Sequence, residues 1–307
     1  MMLWVAVVSG SSRRLKKLKH MNTLKITHNA GFFSCCSKRL EAIVWFFNTY
    51  KCLPDRVDSS EQFSFYKSNS TDDAISLYFQ NNDIAVPCSR VVDFHNDVQF
   101  LPYEKIDFSG LKPFIKEYFS PSEIVKNAIS EYEKKYSIDY GNTCAVYYRG
   151  NDKSIETAIA PYDVFIQKAK EIRKENPSAT FIIQTDEKEF LDAFQKEFPN
   201  CISFEEIQPM AKKNSFVAAE LLQDQKVAHG INFFASILVL AKCRFLVTHS
   251  GNGALWCILY RGNTGDVFQW LNGSWNPTKL SFSALWQRNK KYIKKLAGFN
   301  KREYFVQ

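Results

Sequence analysis

The sequence predicts an α/β fold built on a parallel sheet, and three observations carry that prediction. Between residues 143 and 270, short apolar runs alternate with amphipathic helical segments at the interval that βαβ units require. Near the start, TLKITH, the loop NAGFFSCC, SKRLEAIVWFFNTYK and LPDRVDSS read as strand, loop, helix and short strand. Two strand-to-helix turns, RGNDK and SGNG, set glycine beside polar groups, as loops at the carboxyl ends of strands do when they hold ligands.

Each element follows from its pattern. In residues 37–51, Leu40, Ile43, Val44, Phe46 and Phe47 share one face at helical spacing. Residues 60–115 give only short aromatic and β-branched runs. PSEIVKNAISEYEKKYSI opens on Pro121 with Ser122 and Glu123 beside it, the signature of a helix start. TCAVYY, ATFIIQT, CISFEE, RFLVTH and DVFQW then read as strands. PYDVFIQKAKEIRKEN, EKEFLDAFQKEF, INFFASILVLAKC and ALWCILYRG read as the helices between them. FSALWQRNKKYIKKLA reads as a last helix that packs back across the junction.

At 307 residues the chain has room for two domains. They are placed at 21–118 and 119–287, with a loosely ordered basic extension at 1–20 and a basic helix or tail at 288–307.

Charge narrows the function classes. The net charge of +8 lies in the ends: residues 1–20 carry +5 and residues 288–307 carry +6, leaving about −3 for the body. A nucleic-acid reader carries its positive field on the folded body, so no nucleic-acid partner is expected. MLWVAVV is too short to cross a bilayer, and its basic residues follow the apolar run rather than precede it. No integral membrane span and a cytoplasmic location are therefore expected. The eight cysteines form no CxxC pair and read as reduced core thiols. The five histidines show no metal-ligand spacing, so neither a metal site nor a cofactor is expected.

The candidate site is assembled from three strand-end loops. Arg149 follows TCAVYY directly, and its planar fork matches phosphate oxygens; Asp152, Lys153 and Glu156 come next. The same mixture also reads as a solvated ion-pair cluster. In THSGNG, Gly251 and Gly253 admit a ligand to the backbone, and the helix that follows presents free amides and the positive end of its dipole to an anion. Ser250, Thr248 and Asn252 add polar groups. Asp186 follows the strand FIIQT and reads first as a cap for the next helix, second as part of the site. Together these loops suit a nucleotide diphosphate. On the N-terminal side, Gly31 and Phe32 of NAGFFS are the residues expected to face the cleft, although a structural turn explains them equally well.

The stretch YYRGNDKSIETAIAPYDVFI resembles the donor motif of the GT-B fucosyltransferases, in particular the α1,6-fucosyltransferases of the N-glycan core and nodulation-factor type. In those a strand ends in Arg-x-x-Asp-Lys, a glutamate follows, and a helix begins at proline. FIIQTDEKEFLDAFQKEFPN is similar to their next strand–Thr–Asp–helix unit, and residues 235–260 to their last helix–strand–loop–helix. The likeness spans roughly residues 140–265. It implies a GT-B-like architecture of two Rossmann-like domains and an inverting, metal-independent transfer of fucose from GDP-fucose to a glycan hydroxyl. Arg149 would hold the β-phosphate, Lys153 would add charge, and Glu156 would be the general base. Tyr147 stands where the family has a guanine-reading histidine, Ser236 stands near the place of its acid, and Gly251 with Asn252 replaces a serine pair. Glu156 lies three residues beyond Lys153, where the family glutamate lies four beyond its lysine. Another nucleotide sugar, or a degenerate domain that binds without turnover, would also fit these residues.

Overall fold

The computed structural model describes residues 23–69, 73–82, 86, 90–151, 159–211, 220–221, 224–276 and 303–307. The first unit runs β1 (Thr23–Ile26), α1 (Phe32–Tyr50) and β2 (Arg56–Asp58), with β1 and β2 parallel. Short pieces follow: α2 (Ile75–Tyr78), β3 (Phe79–Gln80), α3 (Phe108–Tyr118), β4 (Ser120–Pro121) and α4 (Glu123–Tyr136). Regular alternation then begins. It runs β5 (Thr143–Tyr148), α5 (Tyr162–Glu175), β6 (Thr180–Thr185), α6 (Lys188–Glu197), β7 (Ile202–Ser203) and α7 (Lys226–Lys242). It continues through β8 (Phe245–His249), α8 (Asn252–Arg261), β9 (Val267–Leu271) and β10 (Ser274–Trp275). The last strand is β11 (Tyr304–Val306).

The predicted α/β class and parallel sheet are both present. Six strands lie in the order β10-β9-β8-β5-β6-β7; all are parallel except β10, which turns back against β9. Every residue of β5 and of β8 is buried, as expected of parallel strands covered on both faces. Alternation then sorts their side chains. Cys144, Val146 and Tyr148 pack with Phe165 and Phe190 beneath α5 and α6. Ala145 and Tyr147 join the larger core with Phe234 of α7 and Trp256 of α8.

That larger core is continuous with the N-terminal half. Phe32 meets Phe234 at 5.5 Å, and Phe33 stacks on Trp256 at 6.3 Å. Trp256 Nε1 donates to Ser37 Oγ at 2.9 Å, and Ser37 Oγ donates to Asn252 Oδ1 at 2.7 Å, tying α1 to the first residue of α8.

Several boundaries differ from those read in the sequence. NAGFFSCC is not a loop throughout: α1 begins at Phe32, with the amides of Ser34 and Cys35 donating to Gly31 O. No side-chain cap marks this start, and burial of Phe32, Phe33, Cys35 and Cys36 supplies the stabilisation instead. The helix read from Pro121 starts at Glu123, where Ser122 Oγ accepts from Val125 N. CISFEE contributes only Ile202–Ser203, and α7 starts five residues ahead of the apolar run. Within the stretch read as a basic helix or tail, Tyr304–Val306 forms β11, which pairs antiparallel with β1. The helix predicted at 282–297 and the basic extension at 1–20 lie outside the described residues. Among the described residues no helix is long and apolar enough to cross a membrane. The described cysteines are free, and burial pushes the Cys35 thiol up to about 11 and Cys243 up to about 12.

Candidate functional site

From β5 the chain builds the sheet outward through β6 and β7, then returns to lay β8 and β9 on the other side of β5. Neighbouring β5 and β8 therefore send their exit loops in opposite directions, which opens a crevice at their carboxyl ends. Tyr147 stands opposite Thr248 in the sheet, so Arg149 and Ser250 leave it side by side. A cavity of about 340 Å³ lies there, inside the usual range of ligand pockets.

Arg149 is positioned by Asp186. The Asp186 carboxylate accepts from Arg149 Nε at 2.7 Å through Oδ2 and from Gly150 N at 2.9 Å through Oδ1. Its backbone carbonyl accepts from Asn151 Nδ2 at 2.6 Å. Asp186 does not cap α6, as the sequence reading first had it: that cap position is Glu187, and no side chain caps it. Instead Asp186 holds the loop after β5 and aligns the guanidinium along the cavity wall. Asp186→Ala strips the acceptor from two donors, each costing about 1–3 kcal/mol when left unmet in a buried setting. The expected result is a drop of about 2–4 kcal/mol in unfolding free energy by urea titration, and Asp186→Asn should recover part of it.

The second loop starts at Gly251, whose φ of 154° and ψ of 170° form a combination that glycine alone adopts readily. Gly253 is constrained differently: a Cβ there would collide with the Tyr147 hydroxyl. Tyr147 is 2% exposed, and its hydroxyl has no hydrogen-bond partner of acceptable geometry among the described residues. Burial pushes this phenol above its ordinary value, with Arg149 nearby pulling the other way. It remains a neutral donor at the cavity wall. The hydroxyl of Ser250, expected to face a ligand, instead donates to Trp270 O at 3.2 Å and accepts from Gln269 Nε2 at 2.8 Å. Thr248 is likewise turned inward, onto His249 O. Gln269 also bonds Leu101 O and Tyr103 N, so it locks the Ser250 turn to the N-terminal half. Asn252 lines the cavity while its Oδ1 is held by Ser37.

The cavity thus brings together Tyr147, Arg149, Asp186 and residues 250–253, with Gly31 and Phe32 on the facing N-terminal wall. Phe32 is first a core ring, in edge contact with Phe33, Phe63, Tyr66 and Tyr78. Ser236 is absent from the cavity lining; its hydroxyl donates to Phe233 O within α7. Asp152, Lys153 and Glu156 lie outside the described residues. Among the described residues no group of His, Cys, Asp or Glu could hold a metal ion.

The sequence reading missed His229, at the start of α7, which lines the cavity beside Tyr66 and Phe233 with ring planes tilted only 14° and 15° from theirs. A single histidine just ahead of an apolar helix carries no sequence signal. Burial lowers its pKa to about 4 from the ordinary 6.5. The folded protein therefore keeps this imidazole neutral, and the unfolded chain takes up the proton first as pH falls. Stability is full above about pH 6.5 and declines between there and pH 4. At about 1.4 kcal/mol per pKa unit, the full decline attributable to this group is on the order of 3–4 kcal/mol. Urea unfolding at pH 7 and pH 4.5 should show a smaller pH dependence in His229→Gln than in the wild type; equal dependence would contradict the assignment.

No family model matches the chain, and no curated protein matches it. Solved structures do. The crystal structure of NodZ α-1,6-fucosyltransferase soaked with GDP-fucose superposes with a TM-score of 0.52 at 13% identity, over 85% of this chain and 98% of that one. The same enzyme co-crystallised with GDP gives 0.52 at 11% identity, over 82% and 95%. The selenomethionine NodZ fucosyltransferase from Bradyrhizobium gives 0.51 at 11%, over 85% and 97%. Over most of its length, then, this chain has a fold similar to that of the NodZ α-1,6-fucosyltransferase.

Proposed function

We propose that the protein is a glycosyltransferase that takes a nucleotide-activated sugar, GDP-fucose, as donor and a glycan hydroxyl as acceptor, with inversion and without a metal. The observation that supports this reading most is the shared cavity at the β5–β8 crevice, where an aspartate-anchored arginine faces a glycine-started helix. Breaking the bond between the anomeric carbon and the diphosphate pushes negative charge onto the leaving oxygens. A fixed guanidinium and oriented helix amides stabilise that charge without reorganising. Arg149 meets the β-phosphate, the amides of 252 and 253 meet the diphosphate, and the Tyr147 hydroxyl donates to the nucleotide portion. By the resemblance, Lys153 adds a second positive charge and Glu156 stands as a candidate base. The likeness to a GDP-fucose-soaked fucosyltransferase supports the choice of donor.

Two measurements test the reading together. Calorimetric titration with GDP, UDP and their sugars should show GDP and GDP-fucose binding far better than UDP. Incubating the protein and GDP-fucose with a glycan library should add one fucose mass to at least one acceptor. Preference for UDP would reassign the donor; GDP binding with no acceptor modified would make the protein a nucleotide binder without turnover.

A further inference from the structure

The N-terminal wall of the cavity carries a three-membered chain of groups that the donor loops do not explain. His28 sits between β1 and α1, with its Nδ1 2.9 Å from Glu303 Oε1 and its Nε2 3.0 Å from Ser34 Oγ. A carboxylate only accepts hydrogen bonds, so the neutral imidazole must present its N–H to Glu303 from Nδ1. That leaves the Nε2 lone pair to accept the Ser34 hydroxyl. Ser34, in the first turn of α1, lines the same cavity as Arg149 and residues 251–253.

Glu303 is placed deliberately. Thr27 donates to its carbonyl through both its amide, at 2.8 Å, and its hydroxyl, at 3.2 Å, just before β11 pairs with β1. Burial would raise the Glu303 carboxyl, but His28 and Lys38 outweigh burial and hold it below its ordinary range. Lys38 of α1 lies 3.3 Å from Glu303 and 3.3 Å from Glu41, so its charge is shared between two acids. Cys35, whose Sγ approaches His28 O at 3.9 Å, has a thiol pushed up to about 11 by burial and stays uncharged.

We propose that Ser34, His28 and Glu303 form a proton relay that activates the acceptor hydroxyl from the N-terminal wall. The inference rests on the glycosyltransferase reading and assigns the base to the N-terminal wall rather than to Glu156. The acceptor oxygen attacks the anomeric carbon, forming the new glycosidic bond, while the bond to the diphosphate breaks and its electron pair leaves with the diphosphate. The acceptor proton passes to Ser34 Oγ as the Ser34 proton moves to His28 Nε2. The resulting imidazolium is stabilised by the Glu303 carboxylate. Ser34 touches the acceptor; His28 and Glu303 act through it.

The test is the rate of GDP release from GDP-fucose with water as acceptor, measured across pH for the wild type and for His28→Gln, Ser34→Ala, Glu303→Gln, Glu156→Gln and Arg149→Ala. Calorimetric GDP affinity of the His28, Ser34, Glu303 and Glu156 variants reports whether their donor site is folded. His28→Gln should lose about 10²- to 10⁴-fold in kcat at unchanged GDP affinity. It should also lose the acid limb of the pH profile. Glu303→Gln should lower kcat at unchanged GDP affinity, because the imidazolium formed in the step forfeits its counter-charge. Ser34→Ala should fall in the same direction as His28→Gln. A His28→Gln protein with wild-type rate and an intact acid limb, beside an inactive Glu156→Gln or Arg149→Ala, overturns the relay alone. A wild type that binds GDP, releases none from GDP-fucose with water and modifies no glycan in the library overturns both the relay and the transferase reading.

Discussion

Replacing Arg149 with alanine is expected to raise the Kd for GDP about 10- to 150-fold, the equivalent of 1.5–3 kcal/mol for a charge-assisted hydrogen bond. Transfer should suffer more than binding. On the glycosyltransferase proposal, the charge that the guanidinium meets grows as the bond to the diphosphate breaks, and a single preorganised donor at such a position commands about 10²- to 10³-fold in kcat. The Asp186 carboxylate keeps its bond from Gly150 N in the variant, so the loop retains part of its anchorage. Arg149→Lys separates charge from geometry: it restores the positive charge but not the planar fork, nor the Nε that Asp186 holds. Its GDP affinity should fall between wild type and alanine. Unchanged GDP affinity in Arg149→Ala would remove the diphosphate from this cavity.

Trp256→Ala is expected to be the most destabilising single change named here, at about 3–5 kcal/mol. Trp256 is fully buried and packs on Phe119 at 4.7 Å, Tyr260 at 5.7 Å and Phe33 at 6.3 Å. The substitution therefore empties a junction shared by α1, α8 and the segment after α3. It also removes the indole N–H that holds Ser37, which in turn holds Asn252 at the start of α8. Trp256→Phe keeps most of the ring volume and loses chiefly the hydrogen bond, so about 1–2 kcal/mol is expected. Urea or thermal unfolding distinguishes the two. A loss under 1 kcal/mol in Trp256→Ala would show that the two halves do not depend on this contact.

The legible parts of the fold are those in which one physical pattern dominates. TCAVYY and RFLVTH read as strands because a parallel strand covered on both faces needs an unbroken apolar run, and every residue of β5 and β8 is buried. The turn after β8 was legible as a turn because glycines between an apolar strand and an apolar helix mark the break between them. The first turn of α1 was not. Its residues carry no cap signal and are held by contacts with Phe63, Tyr66, Tyr78 and Phe234, distant in sequence. Asp186 was legible as a residue but not in its part, since a carboxylate at a helix start looks the same whether it caps that helix or grips a neighbouring loop. The direction of the Ser250 hydroxyl was not legible for a related reason: it depends on Gln269 and Trp270, which only the folded sheet brings beside it. The pairing of His28 with Glu303 spans 275 residues, and no local pattern announces it.

The most direct measurement is a crystal structure with GDP. The predicted result places the β-phosphate between Arg149 and the start of α8, with phosphate oxygens about 2.7–3.2 Å from the guanidinium and from the amides of Asn252 and Gly253. GDP seated away from the β5–β8 crevice, or with its diphosphate out of reach of Arg149, would contradict the account.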